Sequence, residues 1–192
     1  MRWIYSLAFL LGADNWKITP TPSEITGSLA GLDKERYVIL DIGCGDGGNC
    51  LELAADGWRV VGVDIVPLAV RRARRAAKKA DVAECVVFYV GDASQLPVVG
   101  LPSVDFAYDI GCFHLLSEEK RQAYVDGLAA LLKPGGTFVL KAFTPRKQGR
   151  RTVGFTEDAV GDMFSSRFNL ERCSGHSYWR FPAKWYWFTR KD

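Results

Sequence analysis

An acid and three alternating glycines follow a short apolar run, and this pattern predicts a turn that binds a small cofactor. Asp41 is followed by Gly43, Gly45 and Gly47 at every second position. Glycine adopts positive φ angles easily and places no side chain between the backbone and a ligand. A helix predicted to begin at Gly48 would point its N-terminal N–H groups toward the same place. A strand, a glycine turn and a helix in this order are typical of a cofactor site at the carboxyl ends of a parallel sheet.

Two kinds of cofactor fit these glycines. Gly43, Gly45 and Gly48 have the spacing of a dinucleotide-binding turn, and Asp64 follows Gly45 by 19 residues at the end of the next predicted strand. Asp41 favours a different ligand, because a carboxylate two residues before the turn would repel a pyrophosphate. A cofactor that carries an ammonium group and a sulfonium would be attracted by it instead. The alternative for Asp41 is a local role in capping backbone groups.

Later parts of the chain alternate predicted strands and helices, with polar residues at the strand ends. A third strand over Val86–Val90 is followed by Asp92 and Ala93, and the fourth strand leads through Asp109 to His114. The other predicted strands are also apolar and rich in β-branched or aromatic residues, and they cover residues 104–109, 137–143, 168–173 and 184–190. Strands that alternate with helices predict a parallel sheet, and the last two runs predict a hairpin that closes it.

This order of motifs resembles the class I S-adenosylmethionine-dependent methyltransferases over roughly residues 14–192. The sequence Asp-Ile-Gly-Cys-Phe-His at 109–114 is similar to that of small-molecule methyltransferases of the thiopurine and heterocyclic-toxin group, although Ile110 stands where those relatives carry Arg or Ser. The resemblance implies an α/β fold. It would be a Rossmann-like, seven-stranded, mostly parallel sheet with helices on both faces and a C-terminal antiparallel hairpin.

The resemblance also implies a single methyltransferase domain over residues 1–192, with an N-terminal lid over 1–35 and a Rossmann-like core over 36–192. A chain of this length can bury a sufficient core without disulfides. The apolar segment 3–11 is too short to span a bilayer. We expect it to lie across the cofactor mouth, with Trp16 near the cofactor.

A helix in the segment before the core region has a predicted start signal. Thr21 would be its N-cap, Pro22 its first residue, and Glu24 would complete a capping box.

The resemblance implies roles for residues at the glycine turn and the strand ends. Asp64 would bind both ribose hydroxyls, and Ile65 would pack on the adenine. Asp92 would accept a hydrogen bond from the adenine amino group, and the Ala93 N–H would donate to a ring nitrogen. The alternatives are a helix N-cap for Asp64 and an ordinary turn residue for Asp92. The predicted cofactor-binding set is Trp16, Asp41, Gly43, Cys44, Gly45, Gly47, Asp64, Ile65, Asp92, Ala93 and Asp109.

Asp109 and His114 are the candidate catalytic residues. The carbonyl or carboxylate of Asp109 would hold the methionyl ammonium, and the alternative is a structural role in the turn. His114 would accept a proton from the acceptor or orient the acceptor atom. Its alternative is a hydrogen bond to a backbone carbonyl. Cys112, between them, is assigned to packing, since methyl transfer needs no covalent intermediate.

Composition limits the possible partners. The net charge of +3 lacks the basic excess expected of a nucleic-acid-binding protein. The five cysteines are scattered and form no C-x-x-C pair, so neither a metal site nor a disulfide framework is predicted. This cysteine usage favours the cytoplasm. No stable membrane association is expected, and the oligomeric state is not indicated.

The function predicted from these observations is S-adenosylmethionine-dependent methylation of a sulfur, nitrogen or oxygen atom in a small molecule such as a thiol, heterocycle or phenol. One alternative is an RNA- or protein-directed methyltransferase that docks through the basic stretches 71–79 and 146–151. Another is a non-catalytic binder of the cofactor or a dinucleotide. An aromatic pocket would suit a flat or polarisable acceptor. Its candidate residues are Phe113, Phe143, Phe155, Tyr178, Trp179 and Phe181.

Overall fold

The fold is known from a computed structural model, which describes residues 20–97, 100–148, 151–178 and 181–192. The predicted lid segment 3–11 and Trp16 lie outside the described residues, and so does Trp179.

Helices and strands alternate along the described chain. The helices are α1 (Ser23–Leu29), α2 (Gly48–Ala55), α3 (Pro67–Lys79), α4 (Glu118–Leu131) and α5 (Glu157–Phe164). The strands are β1 (Val38–Ile42), β2 (Arg59–Asp64), β3 (Val86–Val90), β4 (Val104–Ile110), β5 (Leu132–Phe143), β6 (Arg146–Gln148), β7 (Arg151–Val153), β8 (Phe168–Tyr178) and β9 (Phe181–Arg190). Short 3₁₀ helices cover Ala93–Gln95 and Phe113–Leu115.

Seven of these strands form one sheet in the order β3-β2-β1-β4-β5-β9-β8, and β6 and β7 form a separate two-stranded sheet. The pairs β1–β2, β2–β3 and β4–β5 are parallel, whereas β9 is antiparallel to both β5 and β8. The central strands are nearly continuous apolar runs, as expected where both faces of a parallel sheet are covered. The predicted Rossmann-like sheet with a C-terminal antiparallel hairpin is therefore confirmed.

The chain contains two compact units. Unit 1 comprises Met1–Ala93 and Val98–Leu101, and unit 2 comprises Ser94–Pro97 and Pro102–Asp192. Unit 1 thus holds β1–β3 with α1–α3, and unit 2 holds β4–β9 with α4 and α5. The single domain over residues 1–192 stays a prediction.

In unit 1, α3 buries a stripe of small side chains and turns its charges outward. Ala69, Val70, Ala73 and Ala77 are buried. The basic residues are mostly exposed, and they include Arg71, Arg74, Arg75, Lys78 and Lys79. This division is the pattern of an amphipathic surface helix.

Unit 2 has an aromatic core. Phe164 stacks on Phe188 with ring centroids 4.8 Å apart, and Phe138 stacks on Phe188 at 6.0 Å. Phe113 lies 5.1 Å from both Tyr124 and Phe164. Offset and tilted ring pairs at these distances add to the stabilisation from burial alone.

The predicted capping box of α1 is wrong. Pro22 is the N-cap residue and Thr21 precedes it. The Thr21 N–H and hydroxyl both donate to the Glu52 carboxylate, at 2.7 and 2.9 Å. A partner 31 residues away in sequence thus replaces the local cap, which the sequence pattern around Thr21 does not reveal.

Candidate functional site

The glycine turn after β1 has the backbone conformation that its sequence predicts. Gly43, Gly45 and Gly47 have φ angles of 80°, 58° and 84°. Side chains with a Cβ rarely adopt such angles, which explains the alternating glycines. The Gly43 N–H donates to the Val63 carbonyl at 2.8 Å, so the turn is attached to the neighbouring strand β2.

Gly47 also has a packing role. A Cβ at this position would lie 2.8 Å from the Phe88 ring and 2.9 Å from the Ala73 side chain. The missing side chain therefore leaves space for the core of unit 1, and Gly47 allows α2 to begin there with a left-handed N-cap. Its predicted contact with a cofactor stays a prediction.

Asp64 joins the glycine turn to the start of α3. One carboxylate oxygen accepts the Gly45 N–H at 2.9 Å, and the other accepts the Val66 N–H at 2.8 Å. The pKa of Asp64 is raised above its ordinary value, mainly by burial and also by the charge of the nearby Asp46. The two hydrogen bonds act in the opposite direction but do not cancel this shift. The carboxylate is thus a structural element of the turn as well as the predicted ribose ligand.

Asp41 lies beneath the same turn beside two thiols. Its side chain is 4% exposed, and the Cys50 thiol donates to it at 3.2 Å. A hydrogen bond with Cys50 lowers the pKa of Cys44, but burial and the charges of Asp41 and Asp64 outweigh it and raise that pKa to about 11. Burial raises the pKa of Cys50 well above its ordinary value. Both thiols are therefore neutral near neutral pH, and the charge here belongs to the carboxylates.

These features form an acidic cradle. Asp41, Asp46 and Asp64 lie in or next to the glycine turn, and the turn sequence 43–48 carries no basic side chain. Negative charge disfavours the pyrophosphate of a dinucleotide and favours an ammonium or sulfonium group. The residues present thus fit a positively charged cofactor.

The other predicted adenosine contacts lie close to Asp64 in unit 1. Asp64 is aligned with Val90 in the β2–β3 register, and the Gly91 N–H donates to the Asp64 carbonyl at 3.0 Å. The next residues in the chain are Asp92, which is half-buried, and Ala93, which is buried. Ile65 packs against the cluster of Val66 and Ala69. The structure thus brings Asp64, Ile65, Asp92 and Ala93 to neighbouring strand ends.

Asp109 is a turn-forming residue of unit 2. Its carboxylate is fully buried and accepts the N–H groups of Cys112 at 2.7 Å and Phe113 at 2.9 Å. It also accepts the Tyr124 hydroxyl at 2.8 Å. Burial and the charge of Asp109 raise the pKa of Tyr124 well above its ordinary value, so that hydroxyl remains a donor. These bonds support the structural alternative for the side chain. A contact with the cofactor stays a prediction.

His114 is a neutral imidazole in an aromatic setting. Its ring lies 4.1 Å from that of Phe143, and its Nδ1 is buried with no hydrogen-bond partner among the described residues. Burial, together with the charges of Arg146 and Lys141, lowers the pKa of His114 to about 4. The predicted alternative, a hydrogen bond to a backbone carbonyl, is not made through Nδ1. Sequence reasoning did not single out Lys141, although a lysine inside the apolar run 138–143 is visible there.

The described part of the chain contains no group of three or more His, Cys, Asp or Glu side chains that could hold a metal ion. It also contains no helix long and apolar enough to cross a membrane. The cytoplasmic location stays a prediction.

Comparison with known proteins agrees with this geometry. A family model described as a methyltransferase domain matches residues 39–136, a little over half of the 192 residues. The match begins in β1 and includes the glycine turn, Asp64, Asp109 and His114.

Two curated relatives share part of this chain. An S-adenosyl-L-methionine-dependent Diels-Alderase of Talaromyces variabilis is 40% identical over 104 residues, which are 53% of this chain and 35% of the relative. The 27-O-demethylrifamycin SV methyltransferase of Amycolatopsis mediterranei is 35% identical over 124 residues, which are 63% of this chain and 44% of the relative. The chain spans less than half the length of either relative.

One similar solved structure is the Burkholderia thailandensis 1,6-didemethyltoxoflavin-N1-methyltransferase with bound 1,6-didemethyltoxoflavin and S-adenosylhomocysteine. Its TM-score is 0.78 at 22% identity, with 100% of this chain and 87% of that chain covered. At 22% sequence identity, this similarity shows that the two proteins share a fold and shows nothing about a shared substrate.

Proposed function

We propose that this chain, a member of the methyltransferase domain family that uses S-adenosylmethionine, methylates a sulfur, nitrogen or oxygen atom of a small molecule. We include in this proposal that residues 1–192 act as one methyltransferase domain. The acidic glycine turn of unit 1 carries the proposal, since its charge and open backbone suit a cofactor with cationic groups.

Specific residues would hold the cofactor. Asp64 would bind the ribose hydroxyls through the remaining lone pairs of its carboxylate oxygens. Ile65 would contact the adenine face, and Asp92 and the Ala93 N–H would contact its edge. The bound cofactor supplies an electrophilic methyl group on a sulfonium.

The protein would contribute orientation and exclusion of water. Attack by an anion on a sulfonium removes charge, so a site with little water favours the reaction. With a pKa of about 4, His114 is a weak base at neutral pH. It therefore orients an acceptor that is already anionic or that is nucleophilic as a neutral molecule, rather than removing a strongly held proton.

The acceptor class follows from the aromatic residues of unit 2. Phe113 is fully buried in the aromatic core of unit 2, whereas His114, Phe143 and Phe155 are half-buried, with the His114 and Phe143 rings 4.1 Å apart. Flat rings stack well on such surfaces. Heterocyclic acceptors of the thiopurine or toxoflavin kind fit this composition, and the toxoflavin precursor bound by the Burkholderia enzyme is of that shape.

The RNA- or protein-directed alternative has less support. The basic side chains of α3 lie opposite its buried stripe, and the Arg74 guanidinium donates to the Phe88 carbonyl. This is the arrangement of a solvated surface helix.

A labelling experiment tests the proposal. The protein is incubated with methyl-labelled S-adenosylmethionine and, in separate reactions, with the small-molecule, RNA and protein fractions of a cell extract, and S-adenosylhomocysteine release is measured in parallel. We expect label in small molecules and equal release of the by-product. Label in RNA or protein alone, or cofactor binding without by-product from any fraction, would contradict it.

A further inference from the structure

Tyr124 contacts the turn that carries His114 in two ways. Its hydroxyl donates to the Asp109 carboxylate at 2.8 Å, and its ring lies 5.1 Å from that of Phe113, tilted by 57°. Tyr124 is fully buried on α4, 15 residues after Asp109 in the sequence. A side chain of α4 is thus attached both to the end of β4 and to the 3₁₀ helix that follows it.

Asp109 connects the Tyr124 hydroxyl to the backbone of the turn. The Cys112 N–H donates to one carboxylate oxygen at 2.7 Å, and the Phe113 N–H donates to the other at 2.9 Å. The Tyr124 hydroxyl donates to the same oxygen as the Phe113 N–H, the Oδ2 atom. Loss of a donor to a fully buried carboxylate is costly. The hydroxyl therefore helps to keep the carboxylate where it can accept the two N–H groups.

The turn in its own right confines His114. This residue follows Phe113 within the 3₁₀ helix. Its ring lies 4.1 Å from the Phe143 ring, and a Cβ added to Gly111 would lie 3.2 Å from the imidazole Cε1. The backbone of the turn thus packs closely against the imidazole. Because packed groups transmit displacements, a shift of the turn would shift the imidazole as well.

We propose that Tyr124 is a positioning residue for methyl transfer. Through the Asp109 carboxylate, its hydroxyl fixes the turn over residues 111–114, and the turn presents the His114 imidazole to the acceptor in one orientation. This inference rests on the proposed function, because it assigns Tyr124 to the reaction in which His114 orients the acceptor. Orientation matters for that reaction, since a misplacement of about 1 Å can lower a rate about 100-fold.

The variant Tyr124→Phe tests the inference, because it removes the hydroxyl and keeps the ring. Histidine NMR signals of the wild type and the variant are followed during a pH titration. The chain has two histidines, so His176→Gln assigns the signals of His114. We expect the pKa of His114 to rise from about 4 toward 6.5 in Tyr124→Phe, since a turn released from Asp109 admits water to the imidazole.

The rate of methyl transfer should fall in the same variant. S-adenosylhomocysteine release is measured with the small-molecule fraction of a cell extract at saturating S-adenosylmethionine, at a temperature where circular dichroism shows both proteins folded. We expect the rate for Tyr124→Phe to be at least about fivefold lower, because the acceptor is no longer held in one orientation.

Two variants in the aromatic core of unit 2 are the controls. Tyr186→Phe makes the same chemical change in a ring of β9 that is 1% exposed. Phe188→Leu truncates a ring that stacks on Phe164 at 4.8 Å, so it should lower Tm. Both variants retain the Tyr124 hydroxyl. We therefore expect both to keep the pKa of His114 and the rate of the wild type.

An unchanged pKa of His114 or an unchanged rate in Tyr124→Phe would overturn the inference and leave the proposed function intact. The same changes in Phe188→Leu would also overturn it, because the effect would then come from lost stability alone. A wild type that releases no S-adenosylhomocysteine with any fraction would contradict the proposed function, and the inference with it.

Discussion

The glycine turn of unit 1 and the surroundings of His114 in unit 2 differ in charge and in how their polar groups are bonded. The turn is acidic, and its Gly43 and Gly45 N–H groups donate to two residues of β2, the Val63 carbonyl and the Asp64 carboxylate. The charges that act on His114 are those of Arg146 and Lys141, and its Nδ1 is buried without a partner among the described residues. The two regions thus differ in sign, because carboxylates lie at the turn whereas cations act on His114.

The strongest test of the turn is Gly45→Val. A valine at a φ of 58° is strained, and its side chain would block the approach of a ligand to the backbone. We expect S-adenosylhomocysteine affinity to fall at least about 100-fold, with loss of the cofactor-dependent increase in Tm.

Gly31→Val is the matched control for strain. Gly31 has a φ of 81°, a Cβ added to it would meet no atom within 4 Å, and it lies outside the turn. This variant should lose stability and keep its cofactor affinity. An unchanged increase in Tm for Gly45→Val would refute the role given to the turn.

Asp64→Ala should have the next largest effect. Loss of the ribose hydrogen bonds should weaken S-adenosylhomocysteine by roughly 1.5–3 kcal/mol, or one to two decades. Because the Gly45 and Val66 N–H groups also lose their acceptor, we expect a lower free energy of unfolding as well.

Calorimetry on folded Asp64→Ala separates these effects. Unchanged affinity in a destabilised variant would leave Asp64 as a structural residue of the turn, and the ribose assignment would be wrong.

The buried setting of His114 in unit 2 should make the free energy of unfolding depend on pH. Its pKa is lowered from 6.5 to about 4, so the unfolded chain takes up the proton first as the pH falls. The contribution of neutral His114 to the free energy of unfolding is complete above pH 6.5 and is lost as the pH falls toward 4. Between pH 7 and pH 5 the loss should reach about 2 kcal/mol.

Urea unfolding at several pH values measures this loss. His114→Phe should remove that part of the pH dependence, whereas His176→Gln, at the other of the two histidines, should retain it. Equal pH profiles for the wild type and His114→Phe would contradict the environment described for His114.

The smallest effects are expected on α3. Arg75→Gln with Lys78→Gln changes exposed side chains for which no buried partner is present among the described residues, so stability should change by less than about 0.5 kcal/mol. Methyl transfer should not change. If the wild type binds RNA in a salt-sensitive way and this variant does not, the result would support the RNA-directed alternative.

The sequence is informative where local backbone chemistry decides the structure. Positive φ angles at alternating turn positions favour glycine, and apolar runs of five to seven residues form the central strands. The glycine turn could be predicted in this way, and the resemblance implied the mostly parallel sheet with its C-terminal hairpin.

Contacts between distant residues could not be predicted from the sequence pattern. The Tyr124–Asp109 hydrogen bond joins residues 15 apart, and the Thr21–Glu52 bonds replace a cap that the local sequence favours. The sequence shows a basic stretch over 146–151, but it does not show that Arg146 and the buried Lys141 lie beside His114. Arg150 and the side chain of Arg151, in the same stretch, lie outside the described structure.

Glycine amide spectra test the central claim most directly, which is that the acidic turn binds S-adenosylmethionine. Protein labelled with ¹⁵N-glycine is titrated with S-adenosylhomocysteine and, separately, with NAD. We predict that the amide signals of Gly43, Gly45 and Gly47 shift with S-adenosylhomocysteine and not with NAD, while the Gly135 signal stays fixed. Saturable binding of S-adenosylhomocysteine that leaves the three turn signals unmoved, or the same shifts with NAD, would contradict the account.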